Sequence, residues 1–256
     1  MPVPPPLPRR ALPPPLPGAA PDGYRQVAKV CWWRSILFVA GMPVELRSSV
    51  VERKPWLTWS LAVLITVSTL LFWFDVDAWM PLVYDPRAAW PKSLAGLFGH
   101  ELLHADPIHL LGNLYFLLVF GNNVECRFGR RRTLGLFLAA AVCGALLHGA
   151  CSEMRLVGAS GGIFGILVFY VLMFPKARIL WLPFGYLVSL AMLAFGRKWL
   201  PKGMGVVTWL VIYLLLQVVI AYEQLFLNGN VSAMAHIGGG LAGAAVFLLW
   251  KRGWIP

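Results

Sequence analysis

Six long apolar runs constrain this chain more than any other feature. They cover residues 56–74, 108–124, 133–151, 160–174, 204–226 and 235–250. A hydrocarbon core about 30 Å thick is crossed by about 20 helical residues, and lipid offers no partner to an unpaired backbone N–H or C=O. The runs therefore predict an all-α polytopic membrane protein, a six-transmembrane-helix bundle whose shorter members begin inside water-accessible protein. Composition points the same way. At 59% hydrophobic and 13% charged residues, a soluble domain of 256 residues has too little polar surface to cover its apolar one. The expected solvent is the lipid bilayer.

The net charge of +11 would suggest nucleic acid in a soluble protein, but here the basic residues flank the apolar runs. Eight Lys or Arg lie in the chain up to Lys54, and Arg127, Arg130, Arg131 and Arg132 follow the second run. Lys176 and Arg178 follow the fourth, and Lys251 and Arg252 the sixth. The opposite loops hold Arg87, Lys92 and Arg155 beside Asp75, Asp77, Asp85, Asp106 and Glu153. Positive residues concentrate on the cytoplasmic side, so both termini are expected in the cytoplasm, with no nucleic acid as partner.

Residues 1–55 are expected to form a Pro-rich disordered tail followed by a cytoplasmic or interfacial stretch, because proline removes backbone donors and breaks helices. They lack the continuous apolar core of a cleavable signal peptide. The membrane domain is expected over residues 56–252. Within it, residues 179–195 are apolar but interrupted by Pro183 and Gly185 and followed by Arg197, Lys198 and Lys202. A crossing there would carry those charges outside and send His236 to the opposite face from Ser160. This stretch is therefore expected to be re-entrant or interfacial. Cys31, Cys126, Cys143 and Cys151 show no metal-type spacing and read as filler, with room for one disulfide at most.

With that topology Ser160, in Gly158-Ala159-Ser160-Gly161, and His236, in Ala235-His236-Ile237-Gly238-Gly239, lie at one depth near the exoplasmic side. Serine is a weak nucleophile at neutral pH and needs a base within hydrogen-bond reach; His236 is the candidate. Ser160 opens its helix, so the backbone N–H groups there, with Gly161 next to it, and the positive helix end face an oxyanion formed at that point. His104-x4-His109-x3-Asn113 offers further donors, His109 and Asn113 sharing one helix face and His104 lying close by. Gly158, Gly161, Gly162 and Gly165 on one span, and Gly239 and Gly243 on another, omit side chains where the two helices must approach. No acidic third member with a clear role is apparent. The pattern points to a Ser–His dyad, a serine protease working inside a membrane.

Other motifs compete. Gly158-Ala159-Ser160-Gly161-Gly162 also fits the nucleophile elbow of soluble α/β-hydrolases, but that motif needs a preceding strand and its flanks here are apolar helices. His100-Glu101-Leu102-Leu103-His104 is a literal H-E-x-x-H zinc signature, with Glu101 as the base of a metalloprotease. Its third ligand has only scattered candidates in Asp85, Asp106, His109 and His148, and we expect no metal site. His148 is an alternative base, although no small-residue helix stands behind it and helix packing is the simpler role. Glu125 with Arg127 reads as a structural cap or ion pair.

The motifs, in this order, resemble the rhomboid family of intramembrane serine proteases. The likeness covers roughly residues 54–250. It rests on His104-x4-His109-Leu110-Leu111-Gly112-Asn113, Gly121-x3-Glu125-x-Arg127-x-Gly129, Gly158-Ala159-Ser160-Gly161 and Ala235-His236-x2-Gly239-x3-Gly243. It implies that Ser160 is the nucleophile and His236 its base, and that His109, Asn113 and the Ser160 amide hold the oxyanion with His104 in support. It further implies transmembrane protein substrates cut in or near a spanning segment, small residues at the scissile bond, a destabilised substrate helix and no cofactor. The six-span layout itself points to a bacterial inner membrane, with a eukaryotic endomembrane as the alternative. Two departures stand out. Phe164 occupies the place of a tyrosine that stacks on the base in some members, keeping the ring without the hydroxyl. Residues 75–106 lack the Trp-Arg pair found in the first exoplasmic loop of many members, and Trp33-Arg34 precedes the first span. Some rhomboid-like proteins have lost catalysis and act as membrane-protein binders; that alternative predicts loss of the serine or histidine, and both are present.

Overall fold

The apolar runs fold as helices, and the breaks between them belong to particular residues. The computed structural model describes residues 24–26, 44–45, 47–49, 54–88, 92–180, 204–227 and 231–255. In chain order the helices are α1 (Trp56–Phe74), α2 (Val76–Trp79), α3 (Lys92–Gly99), α4 (Pro107–Phe116), α5 (Asn122–Phe128), α6 (Arg130–Cys151), α7 (Ser160–Met173), α8 (Val206–Phe226) and α9 (Ala233–Lys251). A π-helical turn, Leu117–Gly121, joins α4 to α5, and a 3₁₀ turn, His100–Leu102, follows α3. Asp106 starts α4 by accepting the His109 N–H at 2.8 Å, with Pro107 in the first turn where its missing donor costs nothing. Gly129, at φ 91°, separates α5 from α6 in a conformation other residues rarely adopt.

Each of the six runs contains a helix, but the helices are not equivalent. Helices α1, α6, α8 and α9 are long and apolar enough to cross a membrane, and the bent pair Leu94–Leu102 with Pro107–Phe128, meeting at 85°, raises the number from 4 to 5. Helix α7 has 14 residues. That is about 21 Å at 1.5 Å per residue, short of the roughly 30 Å hydrocarbon core, so its ends lie within protein. Its residues from Gly161 to Leu167 are all buried, between α6 and α9. By contrast α1 exposes Val63, Leu64 and Val67, and α8 exposes Val211, Leu215 and Val218, as faces bathed in lipid do. The chain is an integral, multi-pass membrane protein.

The amino end of α1 has no capping side chain of its own. Buried Glu125 supplies one from α5, accepting the N–H groups of Leu57 (3.0 Å) and Thr58 (2.8 Å) and the Thr58 hydroxyl (2.9 Å). A carboxylate there satisfies orphan donors and the positive helix end together. Its ion-pair partner is Arg130, at 3.4 Å, rather than the expected Arg127.

Two small antiparallel sheets accompany the bundle. Strand β1 (Tyr24–Gln26) pairs with β3 (Arg47–Ser49), and β2 (Val44–Glu45), β4 (Arg178–Leu180) and β5 (Met204–Gly205) form a second sheet in the order β2-β4-β5. Residues 1–23 of the expected tail, and residues 181–203 with most of the 179–195 stretch, lie outside the described residues. The flanks of that stretch are paired, Ile179 opposite Met204, and the Val206 N–H donates to the Ala177 carbonyl at 2.9 Å.

The loop without a Trp-Arg pair is anchored by other groups. Tyr84 and Leu156 exchange backbone hydrogen bonds of 3.1 and 2.9 Å, and Arg155 Nε donates to Asp85 at 3.0 Å. The Arg87 backbone N–H and the Arg155 guanidinium hold the Asp85 carboxyl below the ordinary carboxylate range. At the other end of the loop Trp73 Nε1 donates to the His104 carbonyl at 2.7 Å.

Candidate active site

Ser160 is the first residue of α7, and the segment around it is held by its backbone. Gly158 N–H donates to the His100 carbonyl at 2.9 Å, Ala159 N–H to His104 Nε2 at 3.4 Å, and Gly162 N–H to Glu101 Oε1 at 3.0 Å. The residues that spell a zinc signature thus form a cradle for the serine turn. His100 Nδ1 bonds the Gly96 carbonyl at 2.9 Å. His104 Nδ1 bonds Thr69 Oγ1 at 3.1 Å, and that hydroxyl donates to the Leu102 carbonyl at 3.1 Å. This chain of bonds puts the His104 proton on Nδ1 and leaves Nε2 to accept from Ala159. The motif lies on a 3₁₀ turn and an extended residue, not on one helical face. Among the described residues no three His, Cys, Asp or Glu side chains gather in a metal-holding group.

Those bonds occupy the amides on either side of Ser160, while the Ser160 and Gly161 N–H groups have no acceptor among the described residues. They stand at the amino end of α7, where a developing negative charge is stabilised. Gly158 turns the chain there at φ 123°. A Cβ on it would meet His109 Cε1 at 2.6 Å and Nε2 at 2.8 Å, so the His109 ring lies directly over the serine turn. His109 packs edge-on against His104, with ring centroids 4.9 Å apart. Asn113 is buried and its Nδ2 donates to the His109 carbonyl one turn back, at 3.1 Å. One of its two amide hydrogens therefore serves its own helix.

His236 is buried, and its ring stacks on Phe164 at a centroid distance of 4.3 Å and an interplanar angle of 5°. Phe164 lies one turn beyond Ser160, so the stack places the imidazole over the first turn of the serine helix. The opposite face of Phe164 stacks on Tyr213, at 5.4 Å, which stacks in turn on Trp209, at 5.2 Å. The ring that lacks a hydroxyl is a spacer between the imidazole and α8. Backbone contact completes the approach: a Cβ on Gly239 would collide with the Gly161 carbonyl, and one on Gly243 with that of Gly165. On the α6 side, a Cβ on Gly144 would stand 2.6 Å from the Ala235 carbonyl oxygen. Ser160 and His236 form no direct hydrogen bond in this structure; such bonds are often long without substrate and tighten when it binds. The His236 bond that does exist runs from Nδ1 to Gln217 Oε1, 2.7 Å away.

His148 has both ring nitrogens committed, Nε2 to the Met154 carbonyl and Nδ1 to Ser232 Oγ, each at 2.7 Å. It packs helices and is not placed to act on Ser160. Gln224 reaches the same network, at 3.3 Å from His148 Nδ1 and 3.3 Å from the Met234 N–H. Sequence reasoning passed over Gln217 and Gln224. The available signal was two amides seven residues apart in an otherwise apolar helix, since polar groups at membrane depth are costly unless partnered.

The family profile described as Rhomboid domain matches residues 91–252. Rhomboid-related protein 2 of Mus musculus is 28% identical over 184 residues, covering 68% of this chain and 54% of that protein. Rhomboid-like protease 1 of Toxoplasma gondii is 29% identical over 154 residues, 59% of this chain and 45% of its own length. Rhomboid protease GlpG of Pectobacterium atrosepticum is 26% identical over 144 residues, 56% of this chain and 50% of its own length. The chain spans about half the length of these curated relatives. With the profile matching well over half of its residues, this chain belongs to the rhomboid family.

Proposed function

We propose that this protein is an intramembrane serine endopeptidase that cuts transmembrane proteins in or near their spanning segments. The observation that carries the reading is the His236 ring stacked on Phe164, one turn beyond Ser160, where α7 and α9 touch through Gly161 and Gly239. Two of the similar proteins are named as rhomboid proteases, which supports the same chemistry here.

In this reading His236 Nε2 takes the proton of Ser160 Oγ as the oxygen attacks the scissile carbonyl carbon. The oxyanion is met by the Ser160 and Gly161 N–H groups, the ring of His109 and the remaining amide hydrogen of Asn113. One such donor is worth roughly 10²–10³ in rate. The imidazolium then gives its proton to the leaving amine, and an acyl group stays on Ser160. Water, deprotonated by the same imidazole, attacks the ester and releases the carboxylate product. His104 acts by holding the Ala159 amide. No group in this sequence of steps requires a cofactor.

The shortness of α7 sets Ser160 below the level a full span would reach, which suits a bond lying within the bilayer. The charge pattern supports cytoplasmic termini. A bacterial inner membrane fits this layout. The test is cleavage of a model transmembrane substrate by purified protein in lipid, with Ser160→Ala, His236→Ala and a zinc chelator as separate arms. Loss of cleavage in either variant with indifference to the chelator is expected. Substrate binding without cleavage by wild type would assign a binder, and cleavage that survives Ser160→Ala but not the chelator would reopen the H-E-x-x-H site.

A further inference from the structure

Helix α8 is the least buried of the four long helices, with 22% of its apolar window inside the protein. Its buried residues are Val206, Trp209, Leu210, Gln217 and Gln224. An amide carried into a mostly apolar setting is tolerated only with hydrogen-bond partners. Gln224 has a structural set, the Met234 N–H and the His148 ring. Gln217 has a different one, because its Oε1 lies 2.7 Å from Nδ1 of His236.

The geometry points to Gln217 as the positioning residue of His236, a neutral amide that holds the ring through Nδ1. This rests on the Ser–His reading above. An amide oxygen only accepts, so the bond requires the proton of the neutral imidazole on Nδ1. Nε2 is then the unprotonated nitrogen, the one a general base needs. Ring stacking on Phe164 fixes the plane of the imidazole but accepts either of two flips about Cβ–Cγ, which exchange Nδ1 with Cδ2 and Nε2 with Cε1; the Gln217 bond to Nδ1 selects one of them. In the well-known triads an aspartate does this. Here the partner carries no charge, which avoids placing a carboxylate at membrane depth. The neighbours of the ring contribute little competing charge. Helix α7 presents the Phe164 ring, and the titratable group that α4 brings to the serine turn is His109. Glu101 lies against Gly161 and Gly162 on the serine turn. Tyr213 stacks behind Phe164.

The bland alternative is that Gln217 merely docks α8, as Gln224 does, so the test sets the two glutamines against each other. Gln217→Leu is expected to lower kcat roughly 10- to 100-fold, the scale of a misaligned catalytic group, with KM within about twofold. Gln224→Leu is expected to lower the melting temperature without that selective fall in kcat. Gln217→Glu, which keeps an acceptor at the same place, should restore most of kcat and move the acid limb of its pH profile upward, because a carboxylate favours the imidazolium. A readout independent of proteolysis is the ¹⁵N spectrum of histidine-labelled protein in lipid, with His236→Ala assigning the signal. An Nδ1–H, Nε2-lone-pair tautomer in wild type that becomes mixed in Gln217→Leu but not in Gln224→Leu is expected. An unchanged His236 signal in Gln217→Leu, or loss of kcat only in step with melting temperature, would overturn the role. The spectrum judges Gln217 even if no substrate is cut, and so separates its failure from failure of the protease reading.

Discussion

Helix α9 carries His236 and α8 reaches it, and the two helices are held in opposite ways. In α9, 44% of the apolar window is buried, and Gly238, Gly239 and Gly243 lie against the backbones of α6 and α7. In α8 only 22% is buried, and its reach to the site consists of stacked rings and one amide. The contrast separates two tasks. Backbone contact sets where the imidazole is, to within the tolerance of touching carbonyls. Side-chain reach across a thin interface sets how it is turned.

The largest effect is expected where backbone contact is lost. Gly239→Val puts a branched side chain against the Gly161 carbonyl. Overpacking of this kind costs about 1–3 kcal/mol or more, and a shift of about 1 Å at the site costs on the order of 10²-fold in rate. Activity below a hundredth of wild type with a lower melting temperature is expected from cleavage assays and thermal unfolding. Wild-type values for both would remove the positional role of α9.

A smaller effect is expected at the cradle. Glu101→Ala deprives the Gly162 N–H of its buried acceptor. Leaving a buried donor without an acceptor costs about 1–3 kcal/mol, and a serine turn displaced by that loss should lower kcat roughly tenfold or more. Glu101→Gln keeps an acceptor oxygen and should stay near wild type. If the motif worked as a zinc protease, Glu101→Gln would instead abolish activity as fully as Glu101→Ala.

The smallest effect belongs to the exposed loop. Asp85 is held below its ordinary value of 3.8 by the Arg87 N–H and Arg155. Its stabilising contribution is therefore complete above the ordinary carboxylate value and is lost as pH falls through the lowered one. Asp85→Asn should melt slightly below wild type at neutral pH, and the gap should close in strong acid. A gap that widened in acid would contradict this assignment.

How much of this was legible beforehand varies with the kind of interaction. The helices could be read because lipid imposes length and apolarity on each span separately, as in α1, whose bounds match the run at 56–74. The pairing of α7 with α9 was legible through Gly161 and Gly239, since absent side chains advertise close contact. The partners of Glu125 were half legible: a cap was expected, but its target on α1 is 67 and 68 residues away and its ion pair is with Arg130. The Glu101 cradle was not legible, because it depends on a side-chain bond across the fold that no local periodicity records; Gln217 left only the signal of an amide in an apolar helix, which does not name its partner. The anchoring of the first loop by Tyr84, Leu156 and Arg155 escaped notice for the same reason.

The central claim is that Ser160 is a nucleophile activated by His236, and the most direct measurement is covalent trapping. Purified protein in lipid would be treated with a fluorophosphonate, digested and mapped by mass spectrometry, alongside Ser160→Ala and His236→Ala. A single adduct on Ser160, absent from Ser160→Ala and strongly reduced in His236→Ala, is the predicted result. No adduct on Ser160 in the wild type, or equal labelling with and without His236, would contradict it.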